Sequence, residues 1–562
     1  MTGLLCAQAL CAGAQRSYDV KFTEALKDKV RPESFLGTDD AGNIYVASLR
    51  YRTKLYLPLF LVNLVDIDVE KHIKKYDKDL NLVENKQVLA NNEGLRQSQV
   101  NGRLGATTFL FFVSTSEQNM DLPSFMLDNK YYMVIPNDKK PRNDYYLAEV
   151  DMQSGLVGKM TPLFSLGKKR EEHHLSAEKF EFKFSPDSNY ISFVASYKQG
   201  FGKKGSIAYS AAVLNRDMQP VWTSQYTLPK ISKTFTYKEA NVGNQGEITI
   251  LGRNYNKKDK TNPGYSSVFH MDKTQTKPKE HRLNFKGDFV GDVYLSTNTD
   301  NTPMVIGYYK SSRKQHGYDG LYYANMDTAK NLYNIRKKEF TAEFIGSNQT
   351  EKTAKRLLQK EKKGKDVKEA GDFAFTEFLP TGDGGYIGIA EEYFLEQRTI
   401  THTSRNGMVT SSSVHYFDHY NDLMVFKFDK EGQIVSMNKV TKNNTYESAG
   451  MGKLYKRDYT SCTVGSDTYL VFNDDAGKED NTKRNGKDGL SNRSTYIVHI
   501  DENGSLNKDE LISKKEMGKY TFDPHKELCR LGDGRYAFLA TKGLNARNRK
   551  TKIGTFSVKK NS

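Results

Sequence analysis

This sequence predicts an all-β chain, a β-propeller of about eight four-stranded blades, on three observations. A turn rich in Gly, Asp or Asn, followed by an apolar strand, recurs eight times. A second turn, set where an apolar strand ends in Asp or Asn, recurs in the first seven of these units. The composition points the same way, with 34 Tyr and 30 Phe against a single Trp in a chain that is 37% hydrophobic. Such aromatic content argues against disorder, and the low aliphatic share suits many short, half-buried strands better than a helical core. At 562 residues the chain is long enough for several ordinary domains or for one large repeat architecture.

The first series of turns runs Ala41-Gly42-Asn43, Leu127-Asp128-Asn129, Pro186-Asp187-Ser188, Asn244-Gln245-Gly246 and Thr299-Asp300-Asn301. It continues with Gly382-Asp383-Gly384-Gly385, Gly465-Ser466-Asp467 and Gly532-Asp533-Gly534. Such turns supply positive φ at little cost and join hairpins. The second series is Tyr76-Asp77, Val150-Asp151, Leu214-Asn215, Met271-Asp272, Met326-Asp327, Phe428-Asp429 and Ile500-Asp501. Two hairpins in each unit of roughly sixty residues describe a four-stranded blade.

The last unit ends after one strand of its second hairpin, Gly554–Val558, and the alternating segment Tyr18–Thr23 is expected to supply the missing outer strand. That pairing closes the ring and removes the sheet edges an open array would expose. Seven blades is the other count, if the irregular stretch from Asn91 to Leu122 does not hold what the spacing suggests. A basic insertion, 346–371, interrupts the pattern, and its helix formers from Glu351 to Ala370 predict the chain's one helix. It reads as a solvated surface element in preference to a docking element.

Residues 1–14 form a short apolar run ending Ala12-Gly13-Ala14, the pattern of a signal-peptidase site, without the usual basic region before it. A signal peptide truncated by a late start codon is therefore expected, and with it a periplasmic or exported protein. Neither Cys6 nor Cys11 lies in a lipoprotein box. The run Leu55–Val65 holds Pro58 and Asn63 and is too short to span a bilayer, so it is expected to be a pair of buried strands. The formal charge of +16 favours anionic partners in principle. The basic residues are scattered and no nucleic-acid motif accompanies them, which argues against nucleic acid.

Three groups carry the chemistry the sequence offers. Glu391-Glu392-Tyr393 and Asn473-Asp474-Asp475 close the apolar strands of units six and seven. Equivalent strand ends converge on one face of a propeller, where paired carboxylates do acid–base chemistry or hold a cation, unless they are simply solvated. His415-Tyr416-Phe417-Asp418-His419-Tyr420 is the densest cluster of ligand-type side chains. On a strand His415 and His419 share one face and Asp418 the other. No third or fourth ligand announces itself, so an aromatic hairpin shaping a groove is expected in preference to a metal site. Cys462 and Cys529 occupy equivalent places in neighbouring units and are expected to be buried free thiols, since such positions lie too far apart to bridge. Asp501–Ser505 has its glycine too early for a calcium loop and is a turn. No cofactor-binding or nucleophile motif is present.

Ser185-Pro186-Asp187-Ser188-Asn189-Tyr190 resembles the turn of TolB-type propeller repeats. From Gly382 onward, Gly384-Gly385-Tyr386, Glu391-Glu392-Tyr393, His419-Tyr420-Asn421-Asp422, Asp429-Lys430-Glu431-Gly432 and Phe472-Asn473-Asp474 resemble a poorly characterised group of exported propeller proteins of Bacteroidota. That resemblance covers about a third of the chain and implies a propeller but no established activity. The reading that follows is a non-enzymatic binding or scaffolding propeller of the cell envelope, its partner another envelope protein or a glycan. The rival is a propeller glycan hydrolase or lyase using strand-end carboxylates.

Overall fold

The computed structural model describes residues 18–23, 30–55, 62–90, 95–109, 112–118, 122–137, 142–168, 179–199, 206–231, 234–255, 264–275, 277–287, 289–297, 301–311, 317–365, 367, 369, 371, 373–403, 409–448, 457–474, 493–532, 534–542 and 550–558. Eight antiparallel blades follow one another along the chain, seven of them built on four strands in sequence order and the eighth taking its outer strand from the N-terminal segment. Their second strands begin at Ile44, Lys130, Tyr190, Ile248, Pro303, Tyr386, Asp467 and Arg535. Each copy of the first turn in the sequence is therefore the turn between the inner and second strands of a blade. Each copy of the second series joins the third strand to the outer one.

Asp and Asn make these turns by binding their own backbone. In blade 1 the Asp39 carboxylate accepts from the amides of Ala41 at 3.1 Å and Asn43 at 2.9 Å, with Gly42 at φ 77°. Between the third and outer strands Asp77 accepts from the Asn81 amide at 2.8 Å, and Asp429 from the Gln433 amide at 2.7 Å. Several of these carboxyls sit below the usual aspartate range. The largest single cause is the Asn81 side chain for Asp77, the Ser154 hydroxyl for Asp151, the Thr274 hydroxyl for Asp272 and the Asn331 amide for Asp327. A carboxyl depressed in the folded state adds stability that is present above its ordinary value, near pH 4, and lost as the pH falls through its folded one. Thermal melts should therefore hold from pH 7 to about 5 and fall steeply below about 4. A melting temperature level down to pH 3 would rule out turns held by ionised aspartates.

The core lies between blades rather than within them. Eight apolar clusters each join one blade to the next, and a smaller one adds to the contact of blades 2 and 3. The contact of blade 8 with blade 1 packs Cys529, Ala537, Leu539 and Ile553 against Ile44, Val46, Tyr76 and Leu80. The strand expected from the N-terminal segment pairs with blade 8. Lys21–Phe22 pairs antiparallel with Lys550–Ser557 as the outer strand of blade 8, Lys21 opposite Thr555 and Phe22 opposite Gly554. Phe22 meets the Phe538 ring edge-on at 5.6 Å.

Blades 6 and 7 meet closely at their first turns, where the Gly382 amide donates to the Gly465 carbonyl at 2.9 Å. A Cβ on Gly382 would stand 2.7 Å from that peptide. Gly382→Ala should cost about 1–3 kcal/mol, because backbone rather than a movable side chain is in the way. Chemical denaturation checks this, and a neutral substitution would mean the two turns do not touch.

Three stretches depart from the plain four-stranded blade. The stretch 91–122 leaves the count at eight blades but adds to blade 1. It supplies helix α1 (Gln97–Val100) and a hairpin, Gly102–Phe109 with Phe112–Gln118, whose first strand pairs with Val62–Val69 of the third strand. The run Leu55–Val65 joins the second and third strands of that blade, with 56–61 outside the described residues. The expected helix is present in the insertion as α3 (Glu351–Lys362), but it is not the chain's one helix: α2 (Ala342–Gly346) leads into the insertion, and α4 (Lys514–Met517) follows blade 7. Helix α3 buries no residue, as expected of a solvated element, whereas α2 inserts Phe344 and Ile345 into the core between blades 5 and 6. Residues 1–14, with Cys6 and Cys11, lie outside the described residues. Among the described residues no helix is long and apolar enough to cross a membrane.

Candidate functional site

Strand direction sorts the connections onto two faces. Turns of at most seven residues join inner to second and third to outer strands, and all of these lie on one face. The opposite face receives the connections between second and third strands and those between blades. Every elaboration is there: the added hairpin of blade 1, helices α2, α3 and α4, and the long hairpin of blade 6. That hairpin pairs Tyr386–Thr403 with Val409–Phe428, reaching well past the inner strand, whose pairing stops at Glu392. Function on a propeller concentrates where loops vary on a rigid scaffold.

Glu391-Glu392-Tyr393 do not end their strand. Polar residues after an apolar run read as a strand end, but the strand continues to Thr403 with a register shift between Glu391 and Tyr393. Glu391 is 1% exposed. Its carboxylate accepts from Lys442 Nζ and from the Asp458 amide, the latter at 2.9 Å. Lys442 also reaches Asp458 Oδ2 at 3.1 Å, so one buried ammonium holds two buried carboxylates. Asp458 further accepts from the Tyr446 hydroxyl at 2.6 Å and from the Asn444 amide. Burial pushes the Glu391 carboxyl up to about 7 in spite of Lys442. Burial acts in the same direction on Asp458, but Lys442, His525 and the hydrogen bonds outweigh it and hold that carboxyl below the usual range. A network this enclosed ties blade 6 to blade 7 and offers no surface to a ligand.

The other predicted residues fall nearby in two settings. Asp474, at the end of its strand as expected, pairs with Lys508 at 2.9 Å. Its neighbour Asn473 links to the buried triad through its carbonyl, which accepts from Asn444 at 2.7 Å. Asp475 lies outside the described residues. Glu392 stands half-buried at the register shift, its carboxyl raised by burial against a hydrogen bond from Asn421.

The remaining three belong to the projecting part of the long hairpin. The Tyr393 hydroxyl donates to Asp418 at 2.7 Å on one face. On the other, the His419 ring stacks on Phe394 at 4.4 Å and its Nε2 lies 2.8 Å from Glu396, while Arg398 pairs with Glu396 and covers Phe417. His415 follows on this face, beside the Ser413 hydroxyl at 2.7 Å. The expected division holds, with both histidines on one face and Asp418 on the other. Among the described residues no three His, Cys, Asp or Glu side chains are placed to hold a metal ion. The Arg398 guanidinium and the His419 ring keep the Glu396 carboxyl down at about 2. Phe394, Leu395 and Val414 are exposed.

Spacing in the sequence missed a third group, the charged side chains of the inner strands. Lys183 of blade 3 reaches Asn241 of blade 4 at 2.5 Å, and Lys238 of blade 4 reaches Asp292 of blade 5 at 3.5 Å. The Phe375 amide of blade 6 donates to Asp292 at 2.8 Å, and Arg457 of blade 7 pairs with Glu377 of blade 6. Asp292 has φ 41°, and burial raises its carboxyl. These contacts stitch neighbouring blades around the axis. Cys462 and Cys529 are free thiols as expected, and burial pushes both up to about 12.

No family model matches this chain, and no curated protein does. Solved structures similar to it include a polysaccharide lyase described as an ulvan lyase, 11% identical, covering 76% of this chain and 90% of that one, with a TM-score of 0.33. The WD40 domain of SCAP from fission yeast is 7% identical, covering 96% and 94%, also with a TM-score of 0.33. An endo-arabinase from Bacteroides thetaiotaomicron is 11% identical over 52% of this chain and 94% of its own, with a TM-score of 0.23. At this distance the likeness concerns architecture and says nothing of chemistry.

Proposed function

We propose that this chain is a binding propeller that offers its elaborated face to a macromolecular partner at the cell envelope and acts as a scaffold. One observation carries the reading. Of the carboxylates that stood out for acid–base chemistry, Glu391 is enclosed with Lys442 inside the fold and the buried Asp474 is paired with the exposed Lys508, while Glu392 stands half-buried at the register shift. The same face presents a projecting hairpin whose exposed apolar side chains, Phe394, Leu395 and Val414, face solvent. Exposed apolar groups gathered on one projection are a common mark of protein contact. The envelope location rests on the apolar run before Gln15, and sequencing the mature N-terminus tests it, a retained Met1 counting against export.

Capture from native envelopes tests the binding role. Recovery of one envelope component in fixed ratio, lost when Phe394 and Leu395 are both changed to Ser, is the expected result. Turnover of an envelope glycan that Glu392→Gln or Asp474→Asn abolishes would replace scaffolding with catalysis.

A further inference from the structure

We propose that two copies of this chain pair through the free edge of the long hairpin, joining their hairpins into one four-stranded sheet across a two-fold axis. Beyond Glu392 the second strand of blade 6 loses its inner neighbour, and among the described residues nothing pairs with Phe394–Thr403 on that edge. On the far side the short strand Asn444–Ser448 covers only Tyr416–Tyr420. Among the described residues the rest is a two-stranded ribbon, with Phe394, Leu395, Gln397, Arg398, Thr399 and Val414 exposed, and such ribbons are marginal alone. Each of the eight outer blade strands, from the one holding Lys21 to the one holding Lys508, contains at least one lysine. The edge Phe394–Thr403 has neither lysine nor proline, so it lacks the residues that commonly keep strand edges apart.

The edge is also complementary to itself. Antiparallel pairing centred on Gln397 sets Glu396 opposite Arg398 of the second copy, and Arg398 opposite its Glu396. It also sets Phe394 opposite Ile400 and Leu395 opposite Thr399. Centring on Arg398 would put arginine against arginine, and centring on Glu396 would put glutamate against glutamate. Like charges directly opposite are unfavourable, so charge favours the Gln397 register over both of its neighbours, and the Gln397 register alone sets each Glu396 against an Arg398. A two-fold interface of this kind uses the same patch on both copies and stops at a dimer.

Sedimentation equilibrium of the full chain tests the dimer, and a cysteine pair tests the register. In a Cys6→Ser, Cys11→Ser background, Gln397→Cys brings two thiols to paired positions, with Cα atoms about 5 Å apart. Thr401→Cys leaves its two copies roughly 27 Å apart, far beyond the ~7 Å that a disulfide allows. Oxidation should link Gln397→Cys into a dimer and leave Thr401→Cys monomeric. Arg398→Glu should weaken the wild-type dimer about tenfold or more, and Glu396→Arg with Arg398→Glu should restore it. A wild-type chain that stays monomeric at every concentration overturns the proposal. So does cross-linking of Thr401→Cys as readily as Gln397→Cys, which reads the register whatever the charge variants do to folding.

Discussion

Replacing Lys442 by methionine should cost about 3–5 kcal/mol of stability, because it strands two carboxylates in the interior of the fold. Lys442, Glu391 and Asp458 are each 1% exposed or less. Methionine fills much the same volume without the charge, so lost packing contributes little. Asp458 keeps partners in Tyr446 and Asn444, whereas among the described residues Glu391 retains only the Asp458 amide. Glu391→Gln added to Lys442→Met should therefore recover a good part of the loss. The deficit should also depend on pH. With Lys442 gone, the Glu391 carboxyl rises further above its unfolded value. A raised carboxyl contributes stability below its unfolded value, near pH 4.5, and loses it as the pH rises toward the folded one. The variant should thus be closer to wild type at pH 5 than at pH 8. Denaturant titrations at both pH values check it, and a uniform loss would mean the ammonium does not hold the glutamate.

Deleting residues 1–23 should cost about 3 kcal/mol, through lost ladder hydrogen bonds and lost apolar burial at blade 8. The Thr23 amide donates to the Ile553 carbonyl at 2.8 Å, and the Ile553 amide donates back to the Thr23 hydroxyl at 3.2 Å. Phe22 packs on Phe538. Without the clasp, Lys550–Ser557 becomes an open edge, and open edges associate. Lower stability should come with soluble aggregates and with faster amide exchange at Lys550–Ser557. The point substitution Phe22→Ala should produce a smaller effect in the same direction. Unchanged exchange at that strand would mean that blade 8 stands without its N-terminal strand.

The turns made the propeller legible, because a hairpin turn needs particular residues at particular places. Asp383-Gly384 and Asp429-Lys430-Glu431-Gly432 announce their φ angles in their composition, and the apolar strands between them follow the blade. The partners across blades leave no such trace. Lys442 lies far along the chain from Glu391, and no periodicity links them. Glu391 in sequence looks like a polar residue ending an apolar strand, and only its neighbours make it an internal ion pair. Helix α2 was hidden for a related reason. Its Phe344 and Ile345 answer to the core of two blades, while the lysines of α3 dominate the composition of the segment. The two histidines of the long hairpin were placed correctly, since alternation along a strand is local.

The central claim is that partners meet this propeller on its elaborated face, and photo-cross-linking from chosen positions tests it most directly. A photoreactive residue in place of Arg356 on α3 or Val414 on the long hairpin probes that face, and one in place of Glu502 probes the turn face; all three positions are exposed. In intact cells the first two should give the same heterologous product, distinct in mass from a dimer of the chain, and Glu502 should give none. A heterologous product formed from Glu502 but from neither Arg356 nor Val414 would contradict the account.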